Sequence, residues 1–224
     1  MDITQKYIFS GLVLVFAMAG LVFAILSEQL QIFAKYRGVL RKKIAGGYNS
    51  AMKIMVVNRL GAVIYFLLIG FSIESGASSG ALLIGYSFAM LILFVANSVL
   101  FYRLKIYLLK SDSGITLLPL TELPRGIILA SFFATTFNLL GLTLPWLAGS
   151  YYQEFRLTLA NMSFVFNSIF TIINVYYIEH RFALAVDEEA SEIHSFLFSI
   201  VVSRIFASFF MSIVFGMLYA FTVQ

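Results

Sequence analysis

The sequence predicts an all-α integral membrane protein, a bundle of six transmembrane helices forming a single domain over 1–224, with a weak internal repeat. Composition is the first reason. The chain is 61% hydrophobic and 12% charged, with a mean hydropathy of +0.94, whereas soluble domains run near 45–50% apolar and about 25% charged. The second reason is the spacing of the charges. A hydrocarbon core about 30 Å thick needs about 20 helical residues, and uncharged runs of that length recur along the chain. The third is what these runs are not. They are too long and too continuously apolar for barrel strands, which are about 9–11 residues and alternate in polarity.

The first span, 7–34, grows from the uncharged stretch Tyr7–Ser27 and continues helically past Glu28 and Gln31 to Lys35. It is read as a membrane helix rather than a signal peptide, because it exceeds the usual apolar segment of about 7–15 residues and is preceded only by Asp2 and Lys6. The second span, 49–73, is apolar apart from Arg59. The third, 80–103, lies in the uncharged stretch Ser75–Tyr102, and the fourth, 125–150, in Gly126–Gln153, with Pro145 and Trp146 marking a helix end and an interface anchor. The fifth, 155–179, covers the uncharged Leu157–Ile178, and the sixth, 193–223, is interrupted by Arg204.

Orientation follows from the loops. Lys35, Arg37, Arg41, Lys42, Lys43 and Lys53 cluster around the first turn, Arg103, Lys105, Lys110 and Arg125 around the third loop, and Arg181 at the fifth. Only Lys6 and Arg156 fall on the opposite side. The positive-inside rule then puts the first, third and fifth loops in the cytoplasm and both termini outside. The net charge of +4, clustered between apolar runs, belongs to this pattern and not to nucleic-acid binding.

Two arginines stand out. Arg59 and Arg204 each lie about ten residues, or roughly 15 Å, into their helices, near the bilayer midplane, where an arginine costs about 2.5–3.5 kcal/mol on insertion scales. Such a residue faces a partner or a hydrated cavity. Their contexts match: Val56-Val57-Asn58-Arg59-Leu60 with Ala62, and Val201-Val202-Ser203-Arg204-Ile205 with Ala207. This match is the basis of the repeat. Two guanidiniums at one depth suit a phosphate or pyrophosphate, whose oxygens their planar forks bind bidentately. Ser163, Asn167, Thr171 and Asn174 share one face of the fifth helix and make either a cavity wall or interhelical hydrogen bonds; Asn161 sits off that face. Asn97 and Asn138 are read as packing contacts. Glu28, about 10 Å inside Lys35 by helical rise, is a candidate partner for Arg59 or an interfacial carboxylate.

There is no cysteine, no metal-ligand cluster and no nucleotide or nucleophile motif, so no cofactor, metal or catalytic residue is assigned. The acids Asp187, Glu188, Glu189 and Glu192 have no metal-ligand spacing.

The block Glu28-Gln-Leu-Gln-Ile-Phe-Ala-Lys-Tyr-Arg37-Gly38-Val39-Leu-Arg41-Lys-Lys43-Ile44-Ala45, leading into Val56-Val57-Asn58-Arg59, resembles the Amj family, bacterial lipid II flippases that serve as an alternate to MurJ. Glu154-Phe155-Arg156-Leu-Thr158-Leu-Ala-Asn161-Met-Ser163 with Asn167, and Val202-Ser203-Arg204, are similar to further blocks in the same order. The chain departs from the pattern at Glu179-His180, which lacks a proline, and at Asn58 and Phe206. The resemblance implies a flippase of the bacterial cytoplasmic (inner) membrane that moves an undecaprenyl-pyrophosphate-linked peptidoglycan precursor. Arg59, Arg204, Glu28, Asn167 and Asn174 are the candidate substrate-binding residues within the bundle, and Arg37, Arg41 and Lys43 those at its surface. The expected partners are the lipid-linked substrate, bilayer lipids and a second copy of the chain. Two other readings are a membrane-embedded enzyme of lipid or isoprenoid-phosphate metabolism and a structural membrane subunit whose arginines pair inside the bundle.

Overall fold

A computed structural model describes residues 3–110, 123–188 and 190–222. Among these residues the chain is helical, with no strand: α1 (Ile3–Leu40), α2 (Ile44–Glu74), α3 (Ser79–Lys110), α4 (Arg125–Tyr151), α5 (Arg156–Ile173), α6 (His180–Glu188) and α7 (Ala190–Thr222). A 3₁₀ turn at Gln153–Phe155 precedes α5, and a π-helical stretch, Asn174–Glu179, joins α5 to α6. Among the described residues, five helices are long and apolar enough to cross a membrane: Tyr7–Leu40, Ile44–Glu74, Ser79–Ile106, Arg125–Tyr151 and Ile193–Thr222. The fifth expected span, 155–179, is not one uninterrupted α-helix. It consists of the 18 residues of α5 continued by the π stretch.

Many large apolar side chains face outward, and the buried set includes polar ones. Leu67, Phe164 and Tyr176 are 69%, 73% and 78% exposed, while Ser72, Asn97, Thr143, Ser199, Ser203 and Ser208 are buried. Apolar side chains turned outward along several long helices are compatible with a membrane bundle. Polar groups turned inward supply the interhelical hydrogen bonds that hold helices together where burial from lipid gives no drive. Tyr65 donates to the Leu142 carbonyl at 2.7 Å, and the Tyr86 hydroxyl lies 3.1 Å from that of Tyr65. Ser87 and Ser212 donate to each other's carbonyls at 3.0 Å, binding α3 to α7.

The turns follow from local chemistry. At the α1–α2 turn the backbones cross so closely that a Cβ on Gly38 would fall 2.6 Å from the Gly47 Cα, and one on Gly47 would fall 2.7 Å from the Gly38 Cα. Glycine is therefore required at both positions. Lys42, at φ 53°, takes the left-handed turn conformation, and Lys43 N–H donates to the Gly38 carbonyl at 2.8 Å. The end of α2 is a Schellman motif, with Gly76 at φ 99° and the Ala77 and Gly76 amides donating to Ser72 and Ile73. Pro145 does not end α4, as its sequence context suggested. It is buried inside the helix, which runs on to Tyr151. Trp146 makes an inter-helix contact, packing against Phe66 with ring centroids 6.0 Å apart and against Gly70 of α2.

The helices alternate in direction around two apolar clusters. One gathers Leu21, Tyr65, Ile69, Leu83, Tyr86, Leu139 and Phe215. The other gathers Tyr36, Leu104, Ile127, Ile178, Phe182, Phe196 and Ile200 toward the basic end. Between them, at the level of Glu28, Asn138 and Arg204, runs a polar layer. The two arginine contexts that matched in sequence lie in different surroundings, Arg59 exposed and Arg204 buried, so the internal repeat gains no structural counterpart.

Candidate functional site

The polar layer opens into a cavity of about 520 Å³ walled by α1, α2, α4, α5, the π stretch, Phe182 of α6 and α7. Each wall contributes through its helical repeat. Along α1, Ala24, Glu28, Gln31 and Lys35 recur at helical spacing, and along the fifth segment Asn167, Thr171 and Asn174 do the same. Arg59 and Asn58 come from α2, Asn138 from α4 and Arg204 from α7. The two buried-span arginines therefore share one cavity, and the polar face of α5 is a cavity wall. Ser163 is not part of that lining, and Thr171 turns its hydroxyl back to the Asn167 carbonyl at 2.7 Å.

The charge pairing differs from the expectation. Glu28 does not pair with Arg59. Its Oε1 accepts from an Arg204 terminal nitrogen at 2.7 Å, and its Oε2 accepts from Asn138 Nδ2 at 2.7 Å. The reason lies in helix rotation. Asn58 faces α1, donating to the Ala24 carbonyl at 2.6 Å, one turn before Glu28. The next residue, Arg59, is turned away by the roughly 100° that separates successive helical positions. It lies exposed along the cavity and has no ion-pair partner among the described residues. Arg204 is the reverse case, with its side chain 7% exposed. Even so, Glu28 does not satisfy it fully: Arg204 Nε is buried with no acceptor among the described residues.

A second ion pair sits at the basic end of the cavity, where Lys35 Nζ meets Glu179 Oε1 at 2.6 Å. Lys35 also lies 5.1 Å from the centre of the Tyr48 ring. Nearby, Tyr36 and His194 are hydrogen-bonded through the tyrosine hydroxyl and Nδ1, fastening α1 to the start of α7. With Glu28 and Glu179 both engaged, Arg59 is the cavity's unpaired charge among the described residues.

Of the residues singled out in sequence, the cavity brings together Arg59, Arg204, Glu28, Asn167 and Asn174. Arg37, Arg41 and Lys43 lie exposed at the α1–α2 turn and are not part of its lining. The side chains of Asp187, Glu188, Glu189 and Glu192 lie outside the described residues. Asn138 was expected to be a packing contact and is instead a ligand of Glu28. Its signal was its position, a single amide in an otherwise apolar stretch. Lys35 was read as a topology marker and Glu179 as the end of the fifth span and a departure from the family pattern, and nothing in their local sequence announces that they meet. Among the described residues, no group of His, Asp and Glu could hold a metal ion. No protein-family model matches the chain, and neither a curated protein nor a solved structure matches it.

Proposed function

We propose that the protein is a flippase for a lipid-linked cell-wall precursor of the undecaprenyl-pyrophosphate type in the bacterial cytoplasmic membrane. In this reading the fifth segment completes six crossings, and both termini face outward. The observation that carries the proposal is the cavity at mid-bundle, which contains two guanidiniums, one of them with no carboxylate partner among the described residues. An unpaired cation at bilayer depth is expensive unless an anion or water meets it. A guanidinium facing a cavity is well matched to phosphate oxygens. The choice of precursor comes from the resemblance of the Glu28–Arg59, Glu154–Asn167 and Val202–Arg204 blocks to the Amj family.

The route follows from the walls. The exposed Arg37, Arg41, Lys42 and Lys43 draw the anionic headgroup to the cytoplasmic surface, each worth about 1 kcal/mol near an anionic membrane. The headgroup then moves along α1 past Lys35 to Arg59. Although α2 and α5 both line the cavity, they share no substantial contact among the described residues. The gap between them is the side through which the polyprenyl chain stays in lipid while the headgroup crosses.

The test is reconstitution in liposomes with a fluorescent undecaprenyl-pyrophosphate precursor, followed by measurement of its exposure on the opposite leaflet and of its chemical integrity. Wild type should expose intact precursor, Arg59→Ala should fall to the protein-free rate, and Arg59→Lys should retain part of the activity because a point charge lacks the fork. Normal transport by Arg59→Ala at equal incorporation would refute the reading. A structural-subunit reading draws on the Glu28–Arg204–Asn138 cluster as a brace between α1, α7 and α4, and predicts no exposure above background for any variant.

A further inference from the structure

The Glu28–Arg204 pair contains a mismatch. A carboxylate facing a guanidinium can accept two parallel hydrogen bonds. Here only Oε1 reaches Arg204, through one terminal nitrogen at 2.7 Å, while Oε2 is held by Asn138 at 2.7 Å. The Nε–H of Arg204 remains buried without an acceptor. A buried donor left without an acceptor is costly, and this donor belongs to a side chain that lines the cavity. The site at Arg204 thus offers more donors than its resident carboxylate uses.

We infer that Glu28 is an internal stand-in for the lipid anion: it occupies Arg204 at rest and is displaced by a phosphate or pyrophosphate that first engages Arg59. The inference rests on the flippase reading and specifies how its site is regulated. A phosphate group has enough oxygens to take both the terminal nitrogen and Nε of Arg204. Glu28 does not have to be abandoned in the exchange, because Asn138 already holds its other oxygen and continues to do so when Oε1 swings away. Among the described residues the resting cavity therefore has one cation without a carboxylate partner, Arg59, and displacement of Glu28 makes Arg204 available to the ligand as a second. Without ligand, Arg204 is neutralised and the bundle is braced. With ligand, the brace between α1 and α7 is released, which couples occupancy to loosening of the wall. A ligand shifts such an equilibrium only by its differential affinity for the two states, and the displaced carboxylate supplies that difference.

The measurement is calorimetric binding to the purified full-length chain in detergent. Geranyl pyrophosphate serves as the lipid-linked probe, with inorganic pyrophosphate and geraniol as controls for its two halves. A binding-competent fraction of about one tenth weakens apparent affinity about tenfold. Glu28→Gln, which is neutral and keeps the shape, should therefore bind geranyl pyrophosphate about tenfold tighter or more. Adding Arg204→Lys should cancel most of that gain. Asn138→Ala should weaken binding, because the displaced carboxylate loses its remaining partner, and this variant tests the exchange independently of whether Glu28→Gln folds. Inorganic pyrophosphate should show the same ranking if headgroup chemistry alone is read, and a smaller response if the lipid chain contributes. If Arg59→Ala abolishes binding but Glu28→Gln and Asn138→Ala leave it unchanged while lowering the melting temperature, Glu28 is a permanent brace. The inference then fails and the flippase reading stands. If neither wild type nor Glu28→Gln binds either pyrophosphate, both fail together.

Discussion

Arg204 shows what a single residue reveals and what it conceals. Its type and depth were enough to predict a costly, inward-facing cation, and it is buried against a carboxylate. The identity of that carboxylate was not legible. Glu28, Arg59 and Arg204 lie at similar depths, and depth alone cannot rank partners. The rotation of α2, fixed by the Asn58 contact with Ala24, turns Arg59 away and leaves Glu28 to Arg204. The same contact allows a prediction about relative costs. Asn58→Ala removes one interhelical hydrogen bond, and such bonds average about 0.6 kcal/mol in a membrane bundle. Gly38→Ala places a methyl group 2.6 Å from the Gly47 Cα, a backbone clash that no rotamer relieves, at about 1–3 kcal/mol for overpacking. Thermal melts in detergent should therefore show a clear drop for Gly38→Ala and a small one for Asn58→Ala. The opposite ranking would mean that the α1–α2 turn is looser than its geometry indicates.

At the scale of elements, apolar composition located the five long apolar helices of the described residues, two of them in spite of an internal arginine, because hydropathy is what decides such a segment. It did not reveal the π stretch at Asn174–Glu179. A π-bulge adds about one residue to a turn and leaves composition almost untouched. Sequence context also misplaced the effect of Pro145. Removing one backbone donor weakens a helix, but packing against its neighbours holds α4 intact through to Tyr151. The π stretch has a mechanical consequence. It sets the angular position of Glu179, whose carboxylate meets Lys35 at 2.6 Å. Deleting Val175 removes only the extra residue that the wide turn absorbs, so the segment can rewind as α-helix with Glu179 still facing Lys35, whereas inserting an alanine after Val175 rotates everything after it by about 100°. The chain has no cysteine, so Lys35→Cys with Glu179→Cys gives a clean pair for a short thiol cross-linker. The pair should cross-link in the full-length chain and with Val175 deleted, and lose most of its yield with the alanine inserted. Equal yields with and without the insertion would show that the π stretch does not set the register of the cavity's basic end.

For the whole molecule, the decisive property is where the chain enters and leaves. Phe9 of α1 stacks edge-on against Phe71 near the end of α2, with centroids 5.9 Å apart, and a Cβ on Gly80 at the start of α3 would lie 3.5 Å from the Tyr219 ring near the end of α7. The beginning of α1 and the end of α7 thus lie at one end of the bundle. The opposite end is marked by Lys35 with Glu179 and by Tyr36 with His194. The path Arg156–Glu188 has to carry the chain from the first end to the second. It does so beside α4: Gly141 packs on Phe166, and Gly126 lies under the Tyr177 hydroxyl. Apolar composition alone leaves this path out of the membrane-spanning set, but connectivity requires a return leg. The prediction is an even number of crossings, with the end carrying Arg37, Arg41, Lys42 and Lys43 in the cytoplasm. Single cysteines at Tyr152, near Met1 and near Gln224 should all react with an impermeant thiol reagent in intact spheroplasts, and one at Lys42 should react only after permeabilisation. Were α5 to lie along the outer surface without crossing, Tyr152 and the Met1 end would label while the Gln224 end would not, giving five crossings. Were the bundle inverted, only Lys42 would label, which would leave the even count intact but would put the basic turn outside. The lipid anion would then have to approach the cavity from the opposite leaflet.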